Sequence, residues 1–120
     1  MKEKNPVLEK SYAFALRIIK VYQYLTESRK EYVLSKQILR SGTSIGANVE
    51  EAIGACSGKD FTAKMTIAYK EARETHYWIR LLKDSGYLSA LQTELINDDC
   101  EELLKIIGSI TLTTRNRQGN

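Results

Sequence analysis

The sequence has little of what most catalytic and extracellular folds depend on: one histidine, two cysteines and one proline stand among its 120 residues. A single imidazole excludes the paired Glu-x-x-His sites with which helical bundles hold two metal ions, because such a centre needs two imidazoles and several inward carboxylates. Three positions before His76 stands Arg73, not a glutamate. Cys56 and Cys100 have no CxxC neighbour, which leaves neither a metal knuckle nor a disulfide framework, and both read as buried thiols. They share one imidazole as a base, nothing brings an orienting carboxylate to it, and neither GxGxxG nor the P-loop spacing occurs. The expectation is a protein that is not an enzyme and holds no metal or cofactor.

Long apolar runs are missing too. Arg17 and Lys20 interrupt the first one before it reaches the length of a membrane span or signal segment, so no membrane association and a cytoplasmic location are expected. No biased tract or linker divides residues 1–120, which read as one domain with a frayed tail at 113–120. The net charge of +3 permits an acidic partner without requiring one. Its distribution is uneven: residues 1–30 carry seven basic and three acidic side chains, residues 86–120 three and five.

What is present is a regular set of helix signals. Asn5-Pro6 fits an N-cap followed by proline in the first turn, where no intrahelical amide bond is lost. Ser28-Arg-Lys-Glu31 and Ser89-Ala-Leu-Gln92 match capping boxes, and Ser57-Gly-Lys-Asp60 is a shorter variant. With Gly86 placed to close the third helix, these signals predict helices near 6–27, 29–56, 58–84 and 90–113. Mainly apolar residues recur at steps of three and four in the first three: Leu8, Tyr12, Ala15, Ile19 and Tyr22; Leu34, Ile38, Ser41, Ile45, Asn48 and Ala52; Phe61, Met65, Ala68, Ala72, Thr75, Ile79 and Leu82; the fourth supplies Leu91, Leu95, Leu103, Ile107 and Ile110. Short connections make successive helices antiparallel. The fold class expected is all-α, an antiparallel up-down-up-down four-helix bundle.

Two helices carry more apolar surface than one stripe. Ile67, Trp78 and Leu81 lie beside the core row of the third, and Phe14, Ile18, Val21 and Leu25 beside that of the first. Two readings stand: a subunit contact through Phe14, Ile18, Ile67, Trp78 and Leu81, or a broad stripe closed within one monomer. The segment from Arg40 to Glu51 is odd for a helix, because Gly42 and Gly46 each cost about 1 kcal/mol relative to alanine. Their spacing of four puts both on one face, where another helix can approach closely. The other reading is a local break at Ser41–Ser44. Ser41 and Asn48 need hydrogen-bond partners in the core register, and Arg40, Glu50 and Glu51 can pair with Glu71, Glu74 or Arg73.

The run Arg40-Ser-Gly-Thr-Ser44-Ile-Gly-Ala-Asn48-Val-Glu-Glu51-Ala, then Asp60-Phe61, Ile67-Ala-Tyr-Lys-Glu71-Ala-Arg-Glu74-Thr-His-Tyr77-Trp and Gly86-Tyr-Leu, resembles the four-helix-bundle proteins named for intervening sequences in bacterial 23S ribosomal RNA genes. The resemblance extends from Tyr12 to about Leu112. It implies a bundle and a homopentameric ring. The accessory variability protein of diversity-generating retroelements is similar too, and there a basic pentamer engages a reverse transcriptase and nucleic acid.

Two helix faces could meet such a partner. Lys10, Arg17, Lys20 and Tyr24 recur along the first helix, and Lys70, Arg73, Tyr77 and Arg80 along the third, each a basic stripe with an aromatic. Cations neutralise phosphates and tyrosine stacks on unpaired bases, so such stripes suit single-stranded RNA or DNA. The other reading is a solvated charged face. The function expected is an oligomeric module that binds RNA or a nucleoprotein; the alternative is a scaffold that docks another protein and has no nucleic-acid role.

Overall fold

The computed structural model describes residues 5–118, in four helices: α1 (Pro6–Glu27), α2 (Leu34–Ile53), α3 (Gly58–Asp84) and α4 (Ala90–Gln118). Three of them begin at the expected caps. The Leu8 amide donates to Asn5 Oδ1 at 3.2 Å, and the Asp60 amide to Ser57 Oγ at 3.1 Å. At α4 the box is reciprocal, with Gln92 N–H on Ser89 Oγ at 3.1 Å and Ser89 N–H on Gln92 Oε1 at 2.8 Å. Gly86, at φ +87°, closes α3: its own amide bonds Lys83 and the Tyr87 amide bonds Leu82, which satisfies the last carbonyls of the helix.

The second helix starts later than predicted, at Leu34 instead of residue 29. Ser28 is occupied as the C-cap of α1, its amide bonded to the Tyr24 carbonyl. Lys30 then turns the chain through the left-handed region at φ +54°, and Glu31 becomes the cap of α2. Its buried carboxylate accepts from the amides of Val33, Leu34 and Ser35 at 3.1, 3.0 and 2.7 Å. Burial opposes ionisation there, but the amides outweigh it and hold the Glu31 pKa below the usual glutamate value.

Residue pairs across each helix contact run in opposite senses. Arg17 and Lys10 of α1 meet Asp99 and Glu102 of α4, and Ser41 and Glu51 of α2 meet Thr75 and Lys64 of α3. Each helix packs on the next and α4 returns to α1, with α1 and α4 the least extensively packed pair, in a body 49 × 32 × 22 Å. This is the antiparallel bundle the periodicity predicted. Gly42 and Gly46 lie inside unbroken helix at the α1–α2 crossing. A Cβ on Gly42 would stand 2.8 Å from two Ile18 carbons, and one on Gly46 3.2 Å from the Ser11 carbonyl oxygen. The two glycines are what lets α1 come so close.

That crossing corrects the reading of α1. The buried row is Val7, Ser11, Phe14, Ile18 and Leu25, while Tyr12 and Ile19, expected inside, face outward. Phe14 and Ile18, expected among subunit contacts, are fully enclosed within the monomer because Ile18 fills the space over Gly42. On α4 the core row is Ile96, Cys100, Leu103 and Ile107, so Leu91 and Leu95 are exposed. Cys56 is exposed too, since α2 ends at Ile53 and leaves it in the connection. The tail expected to fray from residue 113 is helical through Gln118, and residues 119–120 lie outside the described part.

Candidate nucleic-acid interface

The register that builds the core decides which cations remain available. On α1, Lys10 Nζ stands 2.9 Å from Glu102 and Arg17 is ion-paired with Asp99, so α4 neutralises half of that stripe. The Tyr24 hydroxyl is drawn toward the end of the bundle. A hydrogen bond with Gln92 holds its pKa below the ordinary phenol value; partial desolvation opposes this and Arg29 assists it. Of the four residues, only Lys20 stands exposed without a charged partner among the described residues.

The stripe on α3 is different. Lys70, Arg73, Tyr77 and Arg80 all lie on the exposed face opposite Ala68, Ala72, Thr75 and Ile79. No carboxylate pairs with Lys70, Arg73 or Arg80 among the described residues. Arg80 Nε reaches only its own helix, at the His76 carbonyl 3.4 Å away, and its guanidinium lies 6.0 Å from the Tyr77 ring centre. Tyr77 is 48% exposed and meets Trp78 edge-on, ring centres 5.0 Å apart. Ten residues of helix separate Lys70 from Arg80, about 15 Å at the ordinary rise. At Arg80 the face borders an open groove of about 560 Å³ between α3 and α4, where His76, Arg80 and Lys83 share the wall with Glu94, Asp98 and Glu101.

The residues of the family-like motif do another job. Arg40 is bonded to Glu71 at 2.9 Å and to Glu74, and the Trp78 indole N–H donates to Glu74 at 3.0 Å. The Glu74 carboxyl is held below its usual value, first by Trp78 and then by Arg40 against partial burial, while Arg40 is raised mainly by Glu74. Glu51 pairs with Lys64 at 2.7 Å. Ser44 and Asn48 turn back on their own helix, Ser44 Oγ to the Arg40 carbonyl at 2.6 Å and Asn48 Nδ2 to the Ser44 carbonyl at 2.8 Å. Inside this polar border the hydroxyls of Ser41 and Thr75 lie 2.8 Å apart, fully buried, and Thr75 also bonds the Glu71 carbonyl. The cluster fastens α2 to α3.

Of the apolar row beside it, Trp78 and Leu81 are half-buried and Ile67 is 42% exposed. The larger open apolar surface holds two residues, Tyr12 and Ile19, that the sequence pattern placed in the core row. Tyr12, Leu16 and Ile19 on α1 are 63, 49 and 38% exposed. A signal for it existed: the steps from Val7 through Ser11, Phe14, Ile18 and Val21 to Leu25 span nearly the whole helix and compete with the chosen row.

With this geometry in place, comparison with known proteins decides the family. The model of the 23S rRNA-intervening sequence protein family matches residues 3–109. The chain belongs to that family. It is similar to a solved structure from Bacteroides thetaiotaomicron VPI-5482, a protein of unknown function from the S23 ribosomal protein family. The two are 51% identical with a TM-score of 0.86, over 88% of this chain and 97% of that one. No protein of curated function matches the chain. In this family member the Cys100 thiol is pushed up to about 12 by burial and by Glu101 and Asp99, and it donates to the Ala72 carbonyl at 3.4 Å. The His76 imidazole is 3.3 Å from Glu101 and far along the chain from either cysteine. No helix among the described residues is long and apolar enough to cross a membrane.

Proposed function

We propose that this member of the 23S rRNA-intervening sequence protein family is a non-enzymatic, self-associating binding module that contacts single-stranded RNA, free or within a nucleoprotein, through the outer face of α3. The observation that carries the reading is the contrast among cations. Lys10, Arg17, Arg40 and Lys64 are spent on carboxylates of neighbouring helices, whereas Lys70, Arg73 and Arg80 form one row in which none is ion-paired among the described residues. A row of unpaired cations gains by releasing counterions from a phosphate backbone. Tyr77, half exposed within the row, offers a ring edge and face to an unpaired base. Self-association multiplies this weak face, and the sequence resemblance to homopentamers and to the retroelement accessory protein is in keeping with it.

A gel shift at low salt with single-stranded and structured RNA tests the reading. The expected result is retardation of the single strand that is abolished by the triple reversal Lys70→Glu, Arg73→Glu and Arg80→Glu, with Lys10→Glu and Arg17→Glu much less damaging. Retardation unaffected by the triple reversal, or none at all, removes the nucleic-acid role. The exposed row Tyr12, Leu16 and Ile19 favours the second reading, a scaffold that docks protein.

A further inference from the structure

The groove between α3 and α4 has walls of opposite charge that do not meet. Arg80 and Lys83 stand on the α3 side, Glu94 and Asp98 on the α4 side. No ion pair joins these four among the described residues; only at one end does His76 reach across, to Glu101 at 3.3 Å. The α4 wall carries a cost as it stands, because Glu94 and Asp98 lie one helical turn apart and like charges at that spacing repel. Between them Asn97 is partly buried, and its side-chain amide has no hydrogen bond among the described residues. The apolar lining is Ile79, deep in the groove, and the exposed Leu91 at the other end. An opening of about 560 Å³ with unused donors and acceptors on facing walls and apolar surface between them suits a flat polar ring. It is continuous with the basic row through Arg80, which belongs to both.

We infer that this groove takes one base of the bound strand and selects guanine, an assignment that rests on the RNA reading of the α3 face. The phosphate of that nucleotide stays on Arg80, and its base turns off the row into the groove, as bases splayed from a single strand do. Ionised carboxylates only accept hydrogen bonds, so Glu94 or Asp98 needs a base edge with donors side by side. Of the RNA bases, guanine alone has that edge: its N1–H and exocyclic amino group fit the two oxygens of one carboxylate in charge-assisted bonds. Asn97 donates to its O6, and Lys83 on the opposite wall donates to N7, so the purine spans the gap that the side chains leave open. Adenine and cytosine turn an acceptor toward the carboxylate beside their amino group, and uracil has a single N–H between two carbonyls. The acids of α4 also repel phosphate, which keeps the backbone on α3 and points the base inward.

Fluorescence anisotropy of the intact protein at one low salt concentration tests this with three labelled strands. One is all uridine, the second has a single central guanosine, and the third has inosine, which lacks the exocyclic amino group, in its place. The guanosine strand should bind about tenfold more tightly than the all-uridine strand, with most of that gain lost on inosine. Glu94→Gln combined with Asp98→Asn keeps the shape of both side chains and removes both charges. It should bring the guanosine and uridine strands to within about twofold of each other, while the all-uridine strand binds no more weakly than before. Equal binding of those two strands by the wild type, or a preference that survives the paired replacement, overturns the groove assignment and leaves the RNA reading standing. A protein that binds none of the strands overturns both.

Discussion

Substituting Gly42 by alanine probes the crossing on which the arrangement of the bundle depends. In an open helix the change would stabilise, since alanine is favoured over glycine by about 1 kcal/mol. Here the new methyl would arrive 2.8 Å from both Cγ atoms of Ile18 and 3.2 Å from its Cβ. Ile18 is fully buried and branched at Cβ, so it has no free rotamer into which to move. Overpacking of that kind costs about 1–3 kcal/mol, and a stiff, enclosed neighbour puts this case in the upper part of the range. The net expectation is a loss of about 1–2 kcal/mol, a fall in Tm of roughly 4–8 °C for a domain of this size. Urea unfolding followed by circular dichroism, at one fixed protein concentration, reads it. In an Ile18→Ala background the two 2.8 Å contacts are gone and only the 3.2 Å approach to the Cβ remains, so Gly42→Ala should then cost much less. A gain in the wild-type background, or the same effect in both, would refute the argument that Gly42 sets the distance between α1 and α2.

Glu31→Gln should cost about 0.5–2 kcal/mol at neutral pH, as loss of a strong helix cap does. Because the folded pKa of Glu31 is lowered, its contribution is present above the ordinary glutamate value and is lost as pH falls through the folded one, so wild type and variant converge in acid. Thr75→Val should destabilise by about 1–3 kcal/mol by leaving the buried Ser41 hydroxyl without its partner, and adding Ser41→Ala should recover most of that. A thiol reagent should label Cys56 promptly and Cys100 only on unfolding, which titration with and without denaturant would show.

The number and type of helices were legible because caps and periodicity agreed, and α1 and α3 begin and end where those signals put them. The close approach at Gly42 and Gly46 was legible as well, for glycine at a spacing of four inside a helix has few other uses. The orientation of α1 was not. Two apolar rows compete along it, and the one with Ser11 in its middle looked less like a core until Gly46 was seen to receive that serine's backbone. The start of α2 was missed because Ser28 and Glu31 satisfy the spacing of a capping box while each serves a different helix end. At the candidate interface, the pairing of Arg40 with Glu71 and Glu74 could be read from helix faces. The loss of Lys10 and Arg17 to α4 could not, because it depends on how α1 and α4 align across more than eighty residues of chain.

The salt dependence of RNA binding tests the central claim most directly. For a labelled single strand followed by fluorescence anisotropy, three cations meeting phosphates predict a slope of log affinity against log salt of about −2, a roughly twenty-fold weakening between 50 and 200 mM. The account predicts that slope for the wild type and nearly none when Lys70, Arg73 and Arg80 are replaced by glutamine. Binding that is indifferent to salt, or a slope that survives the triple replacement, would contradict it.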